Sequence, residues 1–220
     1  MVNRNNYSKV LVYICMFLCM GSLACSDSNQ RKIKQTEACV WRAHLDSAVN
    51  YYQKGMILND SLCINKALVF LDDVANNDTI KAQLRQCHML KSQIYIYQKN
   101  YKEALPELIA YIEMLPEDNI ERLIFLGLLS KQEGQKRDSE LYFNRVMLLC
   151  DSILEKSEDM NAVIAKADVI YYQSGESKAI NFIKTTDIYN QMDNPEQLLI
   201  QWKESHEQMD SLISCVDWAN

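Results

Sequence analysis

Glycine and proline are scarce in this chain, which has 5 Gly and 3 Pro among 220 residues. That scarcity excludes a collagen-like repeat and argues against a Gly-rich barrel or a long disordered chain, and it favours helix. An excess of positive charge is also missing, because 23 Lys and Arg stand against 29 Asp and Glu. The chain therefore offers no basic footprint for nucleic acid, and we expect a helix-rich globular protein that does not bind it.

Catalytic motifs are equally absent from the sequence. It contains no phosphate-binding glycine loop, nucleophile elbow or paired zinc histidines, and His44, His88 and His206 lie far apart. Cys87 and His88 are adjacent, so on a helix they point about 100° apart and cannot act as a pair. We therefore expect no enzymatic activity, no cofactor and no metal site.

The first 24 residues have the pattern of an export signal. Arg4 and Lys9 precede the apolar run Val10–Met20, and no acidic residue is present. Eleven apolar residues would span about 16 Å as a helix, whereas a bilayer core of roughly 30 Å needs about 20 residues. Residues 1–24 are therefore interpreted as a signal peptide and not as a stable membrane span.

The small residues Gly21 to Ala24, followed by Cys25, resemble the lipobox of bacterial lipoproteins. In that family the cysteine is acylated and becomes the new N-terminus. The resemblance implies a lipid anchor on Cys25, a polar tether over 25–36 and a location in the cell envelope. Ser26 follows the cysteine, which in such lipoproteins points to the outer membrane. The alternative is an ordinary secretory signal that leaves Cys25 as a plain thiol.

Five cysteines remain after Cys25, and their spacing contains no CxxC pair. Neither a zinc site nor a tight disulfide framework follows from an odd number at such intervals. We expect these cysteines to behave as small, buried apolar residues, with a single disulfide as the alternative. The five are Cys39, Cys63, Cys87, Cys150 and Cys215.

Helical periodicity runs through the mature chain from about Glu37, and no stretch alternates with a period of two. The segment from Ser92 to Pro116 resembles the tetratricopeptide repeat, in which 34 residues form two antiparallel helices. Ser92 falls on the family's small position 8 and Ala104 on its position 20. The other agreements are Tyr95 at position 11, Leu108 at position 24 and Pro116 at position 32.

Three further segments agree in the same register, with position 8 occupied by Gly55, Gly127 and Ala167. Position 20 is occupied by Ala67, Ser139 and Ala179, and the fold requires a small side chain wherever two paired helices touch. Gly134 and Gly175 fall in the turns between paired helices. The resemblance implies an all-α protein that forms a right-handed α-α superhelix of about four hairpins plus flanking helices. Its repeat array spans 37–193, with units at about 48–81, 85–118, 120–153 and 160–193.

Two features depart from the family pattern. Position 7, usually leucine, is occupied by Lys54, Lys91 and Lys166. Pro106 falls about one turn into a helix that should begin near Tyr101, so that helix either starts late or bends.

Residues 194–220 predict one more amphipathic helix, with Asn194 as its cap and Pro195 in its first turn. It is interpreted as a capping helix over the last repeat, with a dimerisation or partner helix as the alternative. Its apolar stripe comprises Leu198, Leu199, Trp202, His206, Met209, Leu212, Ile213 and Val216.

In similar repeat arrays the inner surface of the superhelix binds a peptide or a partner helix. The resemblance assigns that groove to side chains on the first helix of each hairpin. An alternative is that one of the chain's own terminal helices fills it. The assigned residues are Tyr52, Met56, Met89, Gln93, Tyr97, Ile124, Leu128, Lys131, Asp168 and Tyr172.

The function expected from these resemblances is that of a lipid-anchored, non-catalytic adaptor that binds another protein in the envelope. One alternative is an accessory subunit of an outer-membrane assembly, secretion or pilus machine. A second alternative, of a different class, is an envelope thiol enzyme or redox protein.

Overall fold

The computed structural model describes residues 31–77 and 81–215, with side chains described for 40–76 and 81–215. The signal peptide, Cys25, the first part of the tether and Val216 lie outside the described residues. Within them the chain is all-helical, with ten helices, no strand and neighbouring helices packed in pairs. The helices are α1 (Arg31–Leu58), α2 (Ser61–Asn77), α3 (Lys81–Tyr97), α4 (Tyr101–Glu113), α5 (Ile120–Gln132), α6 (Lys136–Leu154), α7 (Met160–Ser174), α8 (Glu176–Lys184), α9 (Asp187–Asn190) and α10 (Pro195–Ser214).

The chain divides after Tyr111 into two compact units. In the first unit α1 packs against α2, and α3 packs against both. Its core contains Leu45, Ala48, Ile64, Leu71 and Ile94, all of which are buried.

In the second unit α5 pairs with α6 and α7 with α8, and α7 also packs against α5 and α6. A core cluster joins α7 and α8 to the terminal helix α10 through Ala167, Ile183, Leu198 and Trp202.

The small residues predicted at the helix crossings are buried in all four hairpins. Those at position 20 have little or no exposed surface, since Ala67, Ala104 and Ala179 are 0% exposed and Ser139 is 4% exposed. Gly55, Ser92, Gly127 and Ala167 at position 8 are likewise buried. A Cβ added to Gly55 would lie 2.5 Å from Ile64 Cγ1 and 3.0 Å from the Asp60 carbonyl oxygen. The close approach of α1 and α2 therefore requires glycine at this position.

Three hairpin turns share one hydrogen-bond pattern. The amide N–H groups of Asp60, Asn100 and Gln135 each donate to a carbonyl oxygen five residues earlier, at 2.8 Å. This is the six-to-one bond of the Schellman motif, which needs a residue with positive φ just past the helix end. Asn59 (φ 52°), Lys99 (φ 58°) and Gly134 (φ 76°) occupy that place. Gly134 was predicted for its turn, whereas Lys99 adopts this conformation against the preference of its side chain.

Some predicted boundaries need correction. Helix α1 begins at Arg31, before the expected end of the tether at Thr36. Leu58 falls on repeat position 11 of the first unit, a packing position in the family pattern, yet it is 58% exposed at the end of α1. Helix α4 starts at Tyr101 and contains Pro106, so the alternative of a late start is wrong. Asn194 precedes α10, but its side chain makes no capping hydrogen bond.

Candidate interaction surface

In the first unit, two of the predicted groove residues lie against each other. The rings of Tyr52 on α1 and Tyr97 on α3 have centroids 6.1 Å apart and planes at 81°. Tyr52 is buried and Tyr97 remains 39% exposed. Burial, together with the neighbouring Tyr97, raises the pKa of the Tyr52 hydroxyl. The other predicted residues of this unit are half-buried: Met56, Met89 and Gln93.

In the second unit the predicted groove residues lie on α5 and α7. The ammonium group of Lys131 on α5 donates a hydrogen bond to the carbonyl oxygen of Tyr172 on α7. Ile124 is half-buried, whereas Leu128 is only 6% exposed. Leu128 was predicted as a partner contact, and in the structure its side chain is buried.

The terminal helix α10 contacts predicted groove residues on α7. The Trp202 indole Nε1–H donates to Asp168 Oδ1 at 2.7 Å, and His206 Nε2 lies 3.3 Å from the same oxygen. Helix α10 also packs against α5. Asp168 and Tyr172, two residues predicted for the groove, therefore contact the chain's own terminal helix.

Aromatic rings contribute to the contact between α7 and α10. The His206 ring lies 4.3 Å from the rings of both Tyr171 and Trp202, and 5.4 Å from Tyr172. The Tyr171 hydroxyl donates to Asp210 Oδ2 at 2.9 Å. Burial, and then the bond to Asp210, raise the pKa of Tyr171 to about 12.

The apolar stripe predicted for α10 is confirmed within the described residues. Leu198, Leu199, Trp202, Leu212 and Ile213 are buried, as is His206. Sequence reasoning placed these side chains on one face but did not identify Asp168 as the acceptor they meet.

A buried lysine in the first unit was not predicted as an interacting residue. Lys91 on α3 is 7% exposed, and its Nζ lies 2.6 Å from Asp72 Oδ1 and 3.6 Å from Glu107 Oε1. Glu107 Oε2 also lies 2.6 Å from His88 Nδ1. Burial alone would lower the pKa of Lys91, but the hydrogen bond to Asp72 and the charge of Glu107 outweigh it and raise the pKa.

Lys166 repeats this arrangement in the second unit. It lies on α7 and forms an ion pair with Asp151 on α6, just as Lys91 on α3 pairs with Asp72 on α2. In both cases the lysine at position 7 reaches back to the second helix of the preceding hairpin. The sequence showed lysine in place of leucine at this position, but it did not identify the acidic partners. Lys54, which belongs to the first hairpin, is exposed.

The cysteines at positions 63, 87, 150 and 215 are free thiols, and the side chain of Cys39 lies outside the described residues. Cys63, Cys87 and Cys150 are buried as expected, whereas Cys215 is exposed. The Cys87 thiol donates to the carbonyl oxygen of Leu71 at 3.0 Å. Burial raises the pKa of Cys87 to about 12 and that of Cys150 to about 11.

Within residues 31–77 and 81–215, no cluster of three His, Cys, Asp or Glu side chains is placed to hold a metal ion. No helix in the same part of the chain has the length and apolarity needed to cross a membrane. Comparison with protein-family models, with curated proteins and with solved structures finds no match to this chain.

Proposed function

We propose that this protein is a lipid-anchored, non-catalytic adaptor of the bacterial envelope that binds another protein through hairpins of tetratricopeptide-repeat type. The observation that carries the proposal is the burial of all eight small residues at the helix crossings. Hairpins of this kind cannot bury their apolar faces alone, so they stack on their neighbours and leave an inner surface for a ligand. The right-handed superhelix belongs to this proposal.

The binding surface proposed for the first unit contains Tyr52, Met56, Met89, Gln93 and Tyr97. Tyr52 is buried and packs against the ring of Tyr97. The partly exposed Tyr97, methionine and amide groups suit an extended peptide or an amphipathic helix, because they combine apolar contact with hydrogen bonding. Tyr97 is the most accessible aromatic ring among them, with 39% of its surface exposed. We therefore place the contact with the partner there.

A thiol enzyme is the less favoured alternative because of the chemistry of the buried cysteines. Only the thiolate acts as a nucleophile. A pKa of about 12 at Cys87 and about 11 at Cys150 leaves very little thiolate at neutral pH. The thiol proton of Cys87 is directed to the carbonyl oxygen of Leu71.

Site-specific photo-crosslinking in intact cells tests the binding function. A photoreactive phenylalanine analogue replaces Tyr97, and in a matched control it replaces Leu62, which lies in the same unit and is 71% exposed. We expect a discrete protein adduct from position 97 and none from position 62. Equal adduct patterns at both positions, or no adduct at 97, would overturn the assignment of this surface.

The identity of the crosslinked protein distinguishes a general envelope adaptor from an accessory subunit of an outer-membrane machine. An outer-membrane barrel protein crosslinked to position 97 would support an accessory subunit of an envelope machine. A soluble periplasmic protein would support the general adaptor.

The lipid anchor needs its own experiment. We expect radiolabelled palmitate to be incorporated into the native chain and lost in Cys25→Ser. Globomycin, which blocks the lipoprotein signal peptidase, should lead to accumulation of the lipidated precursor. Unchanged labelling in Cys25→Ser would show that the anchor is elsewhere or absent.

A further inference from the structure

We propose that α10 is a pH-dependent cover over the inner surface of the second unit, held in place by a doubly protonated His206. The cover hides Asp168 and Tyr172, two residues of the predicted groove. The inference rests on the proposed function in one respect: it assigns Asp168 and Tyr172 to a surface that binds a partner. The attachment of α10 itself stands on the contacts between α7 and α10.

Both ring nitrogens of His206 face oxygen acceptors. Nε2 lies 3.3 Å from Asp168 Oδ1 on α7, and Nδ1 lies 2.8 Å from the Trp202 carbonyl oxygen on α10. A neutral imidazole has one N–H donor and one lone pair. Either neutral tautomer therefore sets a nitrogen lone pair against an oxygen, whereas the imidazolium donates to both acceptors.

Asp168 is the shared anchor of this contact. Its Oδ1 accepts from the Trp202 indole at 2.7 Å and faces His206. One carboxylate on α7 thus holds two side chains that lie one turn apart on α10. A hydrogen bond to a charged group is stronger than a neutral bond at the same place.

Among the other charged and titratable groups around His206, Asp210 favours its protonation. Asp210 lies one turn further along α10 and adds negative charge near the ring. Tyr171 and Tyr172 pack against the ring from α7, and Lys131 of α5 directs its ammonium group to the backbone oxygen of Tyr172. Burial lowers the pKa of His206, but the bond to Asp168 and the surrounding charges outweigh it and raise the pKa above 6.5.

The direction of the pH effect follows from linkage. A histidine with a raised pKa in the docked state contributes its full stabilisation below the pKa of the undocked state. That stabilisation is lost as the pH rises through the docked pKa. We therefore expect α10 to be held firmly in mildly acidic solution and to be released more readily as the pH rises above 6.5.

Two measurements on the full lipidated chain in detergent micelles test this inference. The chain has only 3 histidines, so the imidazole resonances can be titrated by NMR, and His206→Gln identifies the resonance of residue 206. Hydrogen exchange, corrected for the intrinsic effect of pH, gives the protection of the α10 amides. We expect a His206 pKa above 6.5 and a loss of α10 protection across the same pH range, by up to about tenfold for each unit of pKa elevation.

The variants separate the roles of charge and packing. Asp168→Asn should lower the pKa of His206 and reduce the pH dependence of α10 protection. His206→Gln should abolish that dependence. Glu207→Gln removes one negative charge from the neighbouring, exposed position on α10 and should leave most of the effect in place.

A His206 pKa at or below 6.5, or α10 protection that does not change with pH in the native chain, would overturn the inference. Neither result bears on the crosslinking at position 97. If the adaptor function is wrong but this inference is right, position 97 gives no crosslinked adduct while His206 still titrates with a pKa above 6.5.

Discussion

The ring of Phe143 on α6 occupies the space that a side chain at position 127 on α5 would need. A Cβ on Gly127 would lie 2.6 Å from Phe143 Cε1 and 2.8 Å from Cδ1. Phe143 is itself fully buried and stacks on Tyr172 of α7, with centroids 6.3 Å apart. One glycine thus sets the spacing of a hairpin and, through one ring, its contact with the next hairpin.

Gly127→Ala should therefore destabilise the protein, because Phe143 has little room to move. Overpacking of this kind costs about 1–3 kcal/mol in the free energy of unfolding, measurable by urea denaturation. Combining it with Phe143→Leu should give a smaller loss than the sum of the two single losses. Strict additivity in that double-mutant cycle would show that the added methyl group does not clash with the Phe143 ring.

Lys99→Gly should stabilise the turn between α3 and α4. A non-glycine residue with positive φ costs roughly 1–2 kcal/mol, and the side chain of Lys99 is exposed, so its loss sacrifices little packing. We expect a gain of about 1 kcal/mol by thermal or chemical denaturation. Lys102→Gly, inside α4 and also exposed, is the matched control and should lose about 1 kcal/mol.

Pro106→Ala should raise the melting temperature. Pro106 lies inside α4 and is exposed, so alanine would restore an amide donor for the Lys102 carbonyl without disturbing a core contact. A proline in a helix interior costs about 3 kcal/mol, part of which we expect to recover. Pro195→Ala, at the start of α10 where proline is well suited, should give no gain.

Lys91→Met should destabilise the first unit by about 1–3 kcal/mol, because Asp72 and Glu107 lose a charged donor. The exposed Lys54→Met should change stability by no more than about 0.5 kcal/mol. The raised pKa of Lys91 also determines how stability depends on pH. The contribution of Lys91 to the free energy of unfolding is fully present at neutral pH and is lost as the pH rises above 10.5 through the pKa of the folded state. A native chain with the same pH profile as Lys91→Met in alkaline solution would contradict this role.

Thiol labelling should distinguish the cysteines by burial. Under native conditions we expect iodoacetamide to modify the exposed Cys215 at least tenfold faster than Cys87 or Cys150, as followed by peptide mass spectrometry. The two buried thiols should react only when the chain unfolds, since their pKa values of about 12 and about 11 leave little thiolate. Rapid native labelling of Cys87 would reopen the thiol-enzyme alternative.

Small residues and apolar periodicity determined the helices and their pairing from the sequence alone. Gly55, Gly127 and Ala167 could be placed at crossings because a close helix approach tolerates no larger side chain, whatever the neighbours are. The Lys99 turn escaped prediction, because a lysine gives no local signal for positive φ. The ion pair of Lys91 was also hidden, since its partners come from two other helices.

The sequence by itself determined that α10 is amphipathic, because a stripe at intervals of three and four residues is a local property of the chain. Only the tertiary structure decided where that stripe packs. Trp202 and His206 meet Asp168, which lies more than thirty residues earlier in the chain, and such a pairing depends on how α7 and α10 approach each other. For the same reason the residues predicted for the groove of the second unit could be named from the repeat register, while their contacts with α10 could not.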